Sequence, residues 1–299
     1  IDEHTTIPHL LKERVQRGAT RPLILRKIGI GDTWRSITAR EFYDEVHALA
    51  AGLIARGLEP GDRVAIMSRT RYEWTLLDFA CWAAGLVPVP IYETSSIDQV
   101  AHVLVDADVH LIITETVSMA EIVRAAAERE NRDNTHVLSL DSEAIETLIA
   151  EGSATPRERV LARSEALTKD DIATIVYTSG TTGTPKGTVL SHENFTNLCL
   201  NAHAWMPEIA AGKNSRLLLF LPLAHVFARF LQVFQISGNG VLGHASNIKN
   251  LLGDLASFKP SYLLVVPRVL EKIYNSADTK ASGPKRKIFR WAAKVAIAY

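Results

Sequence analysis

Apolar and polar positions follow two rhythms along this chain, and the rhythms take turns. "RPLILRKIGIGDTWRSIT" places two partly apolar runs around Gly29, Gly31 and Asp32, the pattern of a hairpin. Thr38-Ala-Arg-Glu41 sets a carboxylate three residues after a hydroxyl and predicts a capping box. Behind it Phe42, Val46, Leu49, Ala50 and Leu53 recur at helical spacing, and Gly57 suits the helix end. "RVAIM" (63–67) predicts a strand. Thr70-Arg-Tyr-Glu73 predicts a second capping box, opening a helix that runs past Phe79 and Trp82 to Gly85. "LVPVPIY" (86–92) must be extended, because Pro88 and Pro90 cannot sit inside a helix. Ser96-Ile-Asp-Gln99 is a third box. "VHLIIT" (109–114) and "THVLSL" (135–140) predict strands on either side of a helix over 119–128.

The segment 141–169 is polar and mixed, with Gly152, Ser153 and Pro156, and reads as a linker or a surface excursion. "IATIVY" (172–177) predicts a strand, "SHENFTNLCLNAHAW" a helix, and "SRLLLFLPL" a buried strand ending at Pro222. A helix is expected over 226–235, a strand over 262–266, and a helix opened by Pro267. The tail "GPKRKIFRWAAKVAIAY" predicts a basic amphipathic helix. Its Lys285, Arg286, Lys287, Arg290 and Lys294 form either a solvated face or a contact for anionic lipid. Strands alternating with helices imply an α/β fold with mostly parallel sheets. A subdivision into 1–170 and 171–299 is expected.

Composition narrows the partners. With 299 residues, 47% of them hydrophobic, the chain can bury a sizeable core. Lysine plus arginine number 33, equal to aspartate plus glutamate, so no global basic field favours nucleic acid. Cys81 and Cys199 form no CxxC and point to a reducing compartment. His4 and His9, like His102 and His110, lack companion ligands, so no structural metal is expected. The N-terminus has no secretory pattern and no apolar run is long enough to cross a bilayer. A cytoplasmic protein is expected, with peripheral membrane association left open.

Chemistry concentrates in "IVYTSGTTGTPKG" (175–187), where a predicted strand feeds a turn of glycines and hydroxyls. Glycines let backbone N–H groups approach an anion, and such a turn forms a phosphate cradle. Thr178, Ser179, Thr181, Thr182 and Thr184 offer hydroxyls, Gly180 and Gly183 offer backbone freedom, and Lys186 adds a point charge before Gly187. Walker A is excluded: Lys186 follows Pro185 rather than glycine, and Gly187 stands where Ser or Thr belongs.

"YTSGTTGTPKG" resembles the signature of the adenylate-forming superfamily, which includes acyl-CoA synthetases, luciferases and peptide-synthetase adenylation domains. "FLPLAHVFARF" (220–230) resembles that superfamily's next motif, and "FKPSYLLVVPRVLEKIYN" is similar to its long-chain fatty-acyl-CoA branch. The resemblance implies the N-terminal α/β part of that fold, with ATP, Mg2+ and coenzyme A as reaction partners and a fatty acid as substrate. It implies that the loop holds the β- and γ-phosphates, with Thr178 near the metal and Lys186 at the terminal phosphate. His225, taken alone a strand-end histidine, becomes by resemblance a substrate-orienting residue. Arg229 stands where the branch has its acyl-tunnel entrance, in place of an aromatic gate, and is otherwise an ion-paired arginine. Val226 and Phe230 are candidate tunnel-lining residues, or core. No "YGxTE"-like stretch, later "TGD" motif, hinge or lid lysine is found. The expectation is a truncated N-terminal part, inactive alone, whose uncovered edges favour self-association as a homodimer.

Overall fold

In chain order the elements are α1 (Ile7–Gly18), β1 (Pro22–Lys27), β2 (Trp34–Thr38), α2 (Ala39–Ala55), β3 (Arg63–Met67), α3 (Tyr72–Ala83), β4 (Val87–Ile91) and α4 (Ile97–Asp106). Then come β5 (Val109–Thr114), α5 (Val117–Arg129), β6 (His136–Ser139), α6 (Ala144–Glu151), α7 (Arg157–Ala166), β7 (Ile172–Thr178), β8 (Lys186–Ser191) and α8 (His192–Trp205). The last are α9 (Pro207–Ala210), β9 (Arg216–Leu219), α10 (Val226–Ser237), β10 (Val241–His244), α11 (Leu251–Phe258), α12 (Pro267–Lys280) and α13 (Gly283–Ala298). This computed structural model describes residues 2–29, 33–132, 134–178, 185–210, 212 and 215–298. The tip of the first hairpin, with Gly31 and Asp32, lies outside them.

Strands β4-β3-β5-β6 form one all-parallel sheet. A second sheet runs β2-β1-β10-β9, with β1 parallel to β10, β10 parallel to β9, and only the β1/β2 hairpin antiparallel. The α/β class with mostly parallel sheets therefore holds. Helix α3 is central: all twelve of its residues are buried, Glu73, Thr75 and Asp78 among them. The boxes at Thr38 and Ser96 form as predicted, each side-chain oxygen accepting from the backbone N–H three residues on.

Four expectations are corrected. Thr70 does not cap α3: its hydroxyl donates to the Leu221 carbonyl (2.6 Å) and accepts from the Leu223 N–H (3.2 Å), while Arg26 and Arg71 take Glu73. Segment 141–169 is no linker, since α6 and α7 lie within it. Gly52 of α2 and Gly152 after α6 allow contact so close that a Cβ on Gly52 would stand 1.9 Å from the Leu148 carbonyl oxygen. Residues 262–266 form no strand among the described residues. One parallel bridge joins Tyr262 to Leu217, and Leu263–Tyr299 forms a separate unit. The chain accordingly divides at Tyr262 and not at 170, because β9 and β10 share a sheet with β1.

β4 is an edge strand, and Pro88 and Pro90 explain why. Alternate residues turn their backbone groups to opposite sides of a strand, and the Pro88 carbonyl faces away from β3, accepting from the Thr174 hydroxyl of β7 (2.7 Å). Both prolines thus stand where an N–H would point outward, so no ladder extends beyond β4. β7 is held beside this edge by side chains: Thr174, and the Trp82 Nε1–H donating to the Ala173 carbonyl (2.7 Å).

Two buried histidines couple this core to pH. Gln232 donates Nε2–H to Asp78 (2.5 Å), so its Oε1 accepts the Thr75 hydroxyl (2.8 Å). The Thr75 oxygen then accepts from His244 Nε2–H (2.7 Å), which fixes the tautomer of a neutral ring. His192 Nδ1 accepts from the Ile7 N–H (3.3 Å). Burial lowers the pKa of each from 6.5 to about 4. The unfolded chain takes up these protons near pH 6.5 and the folded chain does not, so the contribution is complete above pH 6.5 and is lost as pH falls toward 4. The unfolding free energy measured in urea should decline over that window, by up to roughly 3 kcal/mol per histidine. The decline should shrink in His192→Asn; an identical pH profile in that variant would contradict this account.

Candidate functional site

β7 and β8 pair antiparallel, with Thr178 opposite Lys186. The loop therefore leaves and returns at one rung, and both flanking side chains are exposed. Ser179, Gly180, Thr181, Thr182, Gly183 and Thr184 lie outside the described residues. β8 was not foreseen as a strand. Gly187 sits opposite Tyr177, and a Cβ there would come within 2.9 Å of Ile175 Cγ2 and 3.1 Å of Tyr177 Cζ, so packing accounts for this glycine. Tyr177 in turn donates its hydroxyl to Asp106 (2.6 Å). His102, one turn earlier on α4, bonds the Pro185 carbonyl through Nε2 (2.7 Å), which requires a proton on that nitrogen. Its ring stands edge-on to Tyr177, 5.8 Å between centroids. Helix α4 thus grips the hairpin on both sides of the loop.

The second wall comes from the segment before α10. Thr70 braces Leu221 and Leu223, the His225 N–H closes a turn on the Pro222 carbonyl (2.9 Å), and His225 becomes the N-cap of α10. No side chain caps this helix, so its first N–H groups and positive dipole end are free to attract an anion. A cleft of about 410 Å³ lies between the walls, with Tyr92, Gln99, Tyr177, Thr178, Pro185 and His225 among its lining. The structure thereby brings Thr178 and His225 onto one cleft. Lys186, Gly187, Val226 and Phe230 are not in its lining. Phe230 belongs to an aromatic row along α10, 6.4 Å from Phe227 and 5.9 Å from Phe234.

Arg229 does not stand at an entrance. It is fully buried and donates through Nε (3.1 Å) and Nη2 (2.7 Å) to Asp78, also fully buried, and through Nη1 to the Thr174 hydroxyl. Its guanidinium lies over the Trp82 ring, 5.6 Å from the centroid. Desolvation pushes the Asp78 carboxyl up, against the pull of Arg229. The pair joins α3 to α10 and β7, the elements that carry His225 and Thr178.

Thr178 and Pro185, which flank a hydroxyl- and glycine-rich sequence, share one cleft with the N-terminus of α10, a helix end suited to an anion. The family profile described as AMP-binding enzyme matches residues 11–295, and the chain belongs to that family. It is 39% identical over 300 residues to the long-chain-fatty-acid–CoA ligase FadD15 of Mycobacterium tuberculosis, covering 99% of this chain and 50% of that protein. It is 30% identical over 322 residues to the long-chain-fatty-acid–CoA ligase ACSBG2 of Rattus norvegicus, covering 98% and 46%. The chain spans about half the length of the curated relatives it matches. Its fold is similar to that of a Mycobacterium tuberculosis fatty acyl CoA synthetase, with TM-score 0.74 at 23% identity over 89% of this chain and 50% of that one. It is similar also to the inhibitor-bound N-terminal domain of FACL13 from the same organism, with TM-score 0.73 at 23% identity over 94% and 68%.

Sequence reasoning missed His102, Asp106 and Thr70 as positioning residues, because each acts on a segment distant in sequence. His102→Ala should raise amide exchange in β8 about five- to tenfold, as expected for one lost hydrogen bond. Unchanged exchange at Gly187–Val189 would argue against the α4 grip. Arg229→Met alone should destabilise the chain by about 3–5 kcal/mol, and Asp78→Leu added to it should recover most of that loss. Chemical denaturation of the single and double variants checks both, and a double variant as unstable as the single one would contradict a simple buried pair.

Proposed function

We propose that the protein is an ATP-dependent acid–thiol ligase acting on long-chain fatty acids. In this reading the fatty-acid carboxylate attacks the α-phosphorus of ATP, releasing pyrophosphate, and the coenzyme A thiolate then displaces AMP to give the thioester. The observation that carries the reading is the single cleft shared by Thr178 at the loop and His225 at the α10 N-terminus, in a chain of the AMP-binding enzyme family. The names of its ligase relatives supply the acid class.

Within this chain the work is positioning and charge stabilisation. Thr178 and Lys186, at the two ends of the loop, hold the departing β- and γ-phosphates. His225 orients the reacting carboxylate beside the dipole of α10. The acyl chain follows the aromatic row of α10 from Phe227 past Phe230. Among the described residues no three His, Cys, Asp or Glu side chains converge. In this reading the Thr178 hydroxyl lies near Mg2+, and the ion would rest mainly on the phosphates, whose charge it neutralises.

ATP–pyrophosphate exchange by the full-length protein tests the first step. It should depend on a long-chain fatty acid. Lys186→Ala and Thr178→Val should each lower kcat/KM about ten- to a hundredfold, the worth of one hydrogen bond to a charged group. Both side chains are exposed, so the thermal midpoint should stay put. Exchange supported by an amino acid or aryl acid instead would refute the fatty-acid assignment. Transfer to a phosphopantetheinyl carrier protein and not to coenzyme A would refute the acceptor.

A further inference from the structure

Helix α10 is treated differently at its two ends. Its N-terminus, at His225, has no side-chain cap. At its C-terminus, three side chains from other helices take carbonyls of the last turn, where a helix leaves such groups unpaired. Arg14 of α1 donates through Nη1 to the Gly238 carbonyl, and Arg17 of α1 donates through Nη2 to the Ser237 carbonyl. His203 of α8 reaches the Phe234 carbonyl through Nε2 (3.0 Å). Arg14 does more than cap. Through Nη2 it donates also to the Gly240 carbonyl (3.2 Å), just before β10, and to the Pro22 carbonyl (3.1 Å), at the start of β1. One guanidinium thus ties the end of α10 to two neighbouring strands of the second sheet. Arg14 is also an isolated charge. It is 1% exposed, among the described residues no carboxylate pairs with it, and the charges acting on it are those of Arg17 and Arg21. A guanidinium taken out of water without a counter-ion is costly. Carbonyl oxygens meet it instead, one of them at the negative end of the α10 dipole.

We propose that Arg14, seconded by Arg17, is a positioning residue for the reaction: it sets the direction of α10 and thereby the place of His225 in the cleft. The inference rests on the proposed function, which gives His225 a carboxylate to orient. Its charge is not the agent, because a dipole interaction falls off within the last turn and α10 is about 18 Å long. The geometry is that of a rod with two anchors. Arg229, bonded to Asp78 and Thr174, holds α10 at one point, and one point leaves a rod free to pivot. Gly238 lies about 14 Å beyond Arg229 along the axis, and His225 about 6 Å the other way. With the second anchor loosened, a shift of about 1 Å at Gly238 swings His225 by about 0.4 Å in the opposite sense. A misplacement of about 1 Å costs on the order of a hundredfold in rate, so about fivefold is expected here. The phosphates of ATP are held elsewhere in this reading, at Thr178 and Lys186 on the hairpin that α4 grips through His102 and Asp106.

ATP–pyrophosphate exchange by the full-length protein tests the proposal, with kcat counted per ATP-binding site so that unfolded protein does not enter. Wild type without fatty-acid-dependent exchange would overturn the functional reading and the inference with it. With wild type active, the variants judge the inference alone. Arg14→Lys keeps the charge and loses the fork, so kcat should fall about fivefold with KM for ATP unchanged. The ring signal of His225 in 13C-histidine-labelled protein, assigned with His225→Asn, should shift in Arg14→Lys. A role confined to the far end of α10 would leave it in place. Wild-type kcat per site, or an unmoved His225 signal, would overturn the proposal. Where Arg14→Lys does not fold, the more exposed Arg17 carries the test. Arg17→Ala should lower kcat about two- to threefold and shift the same signal, and Arg17→Lys, which still reaches the Ser237 carbonyl, should restore both. Arg17→Ala indistinguishable from wild type, or a lysine no better than the alanine, would overturn it equally.

Discussion

The buried pair of Asp78 and Arg229 is the constraint on which the site's geometry depends. Arg229 lies one helical turn beyond His225, and Thr174 lies four residues before Thr178 on its strand. By bonding Asp78 and Thr174 together, one guanidinium ties the helix that presents the histidine to the strand that presents the loop. Two charges without solvent are costly, so such a pair is weak evidence for stability in itself. Its value lies in direction: a planar fork with fixed donors holds its two partners, Asp78 and Thr174, in one arrangement, which a lysine would not do.

Around that node, the hairpin is attached by side chains and not by a ladder. Pro88 and Pro90 withdraw the outward donors of β4, and Thr174 and Trp82 make the joint instead. Farther out, His102 and Asp106 take hold of the hairpin at Pro185 and Tyr177. Each bond is of ordinary strength, roughly 1 kcal/mol. Together they bring the loop's two ends, Thr178 and Pro185, to defined places.

Much of this was legible in the residues. The parallel sheet was readable from apolar runs at β3 and β5, and the helices from the hydroxyls of Thr38 and Ser96. Thr70 shows where local reading stops, since the same capping pattern was present but its hydroxyl serves Leu221 and Leu223 in a distant segment. Helices α6 and α7 were hidden by the mixed composition of 141–169, and the close approach of α6 to α2 at Gly52 shows only in three dimensions. Thr178 and His225 were singled out because they stand in recognisable strings, and the structure puts both on one cleft. His102 stands in none, and its role exists only once α4 meets Pro185. Arg229 was left between two readings, a tunnel entrance by resemblance and an ion-paired arginine, and its buried pair with Asp78 supports the second.

The second sheet has a consequence for how the chain comes to be folded at all. β1 is synthesised well before β10, yet the parallel partner of Ile24 is Leu242. At ordinary synthesis rates, on the order of 10–40 s separate the two. During that interval the hairpin of β1 and β2 has one completed side and one bare side, and a two-stranded ribbon is marginal in water. The β3-to-β6 sheet, by contrast, closes within a short span of chain. The second sheet is therefore finished from its far end, and the β1/β2 hairpin is the part with most to gain from a chaperone.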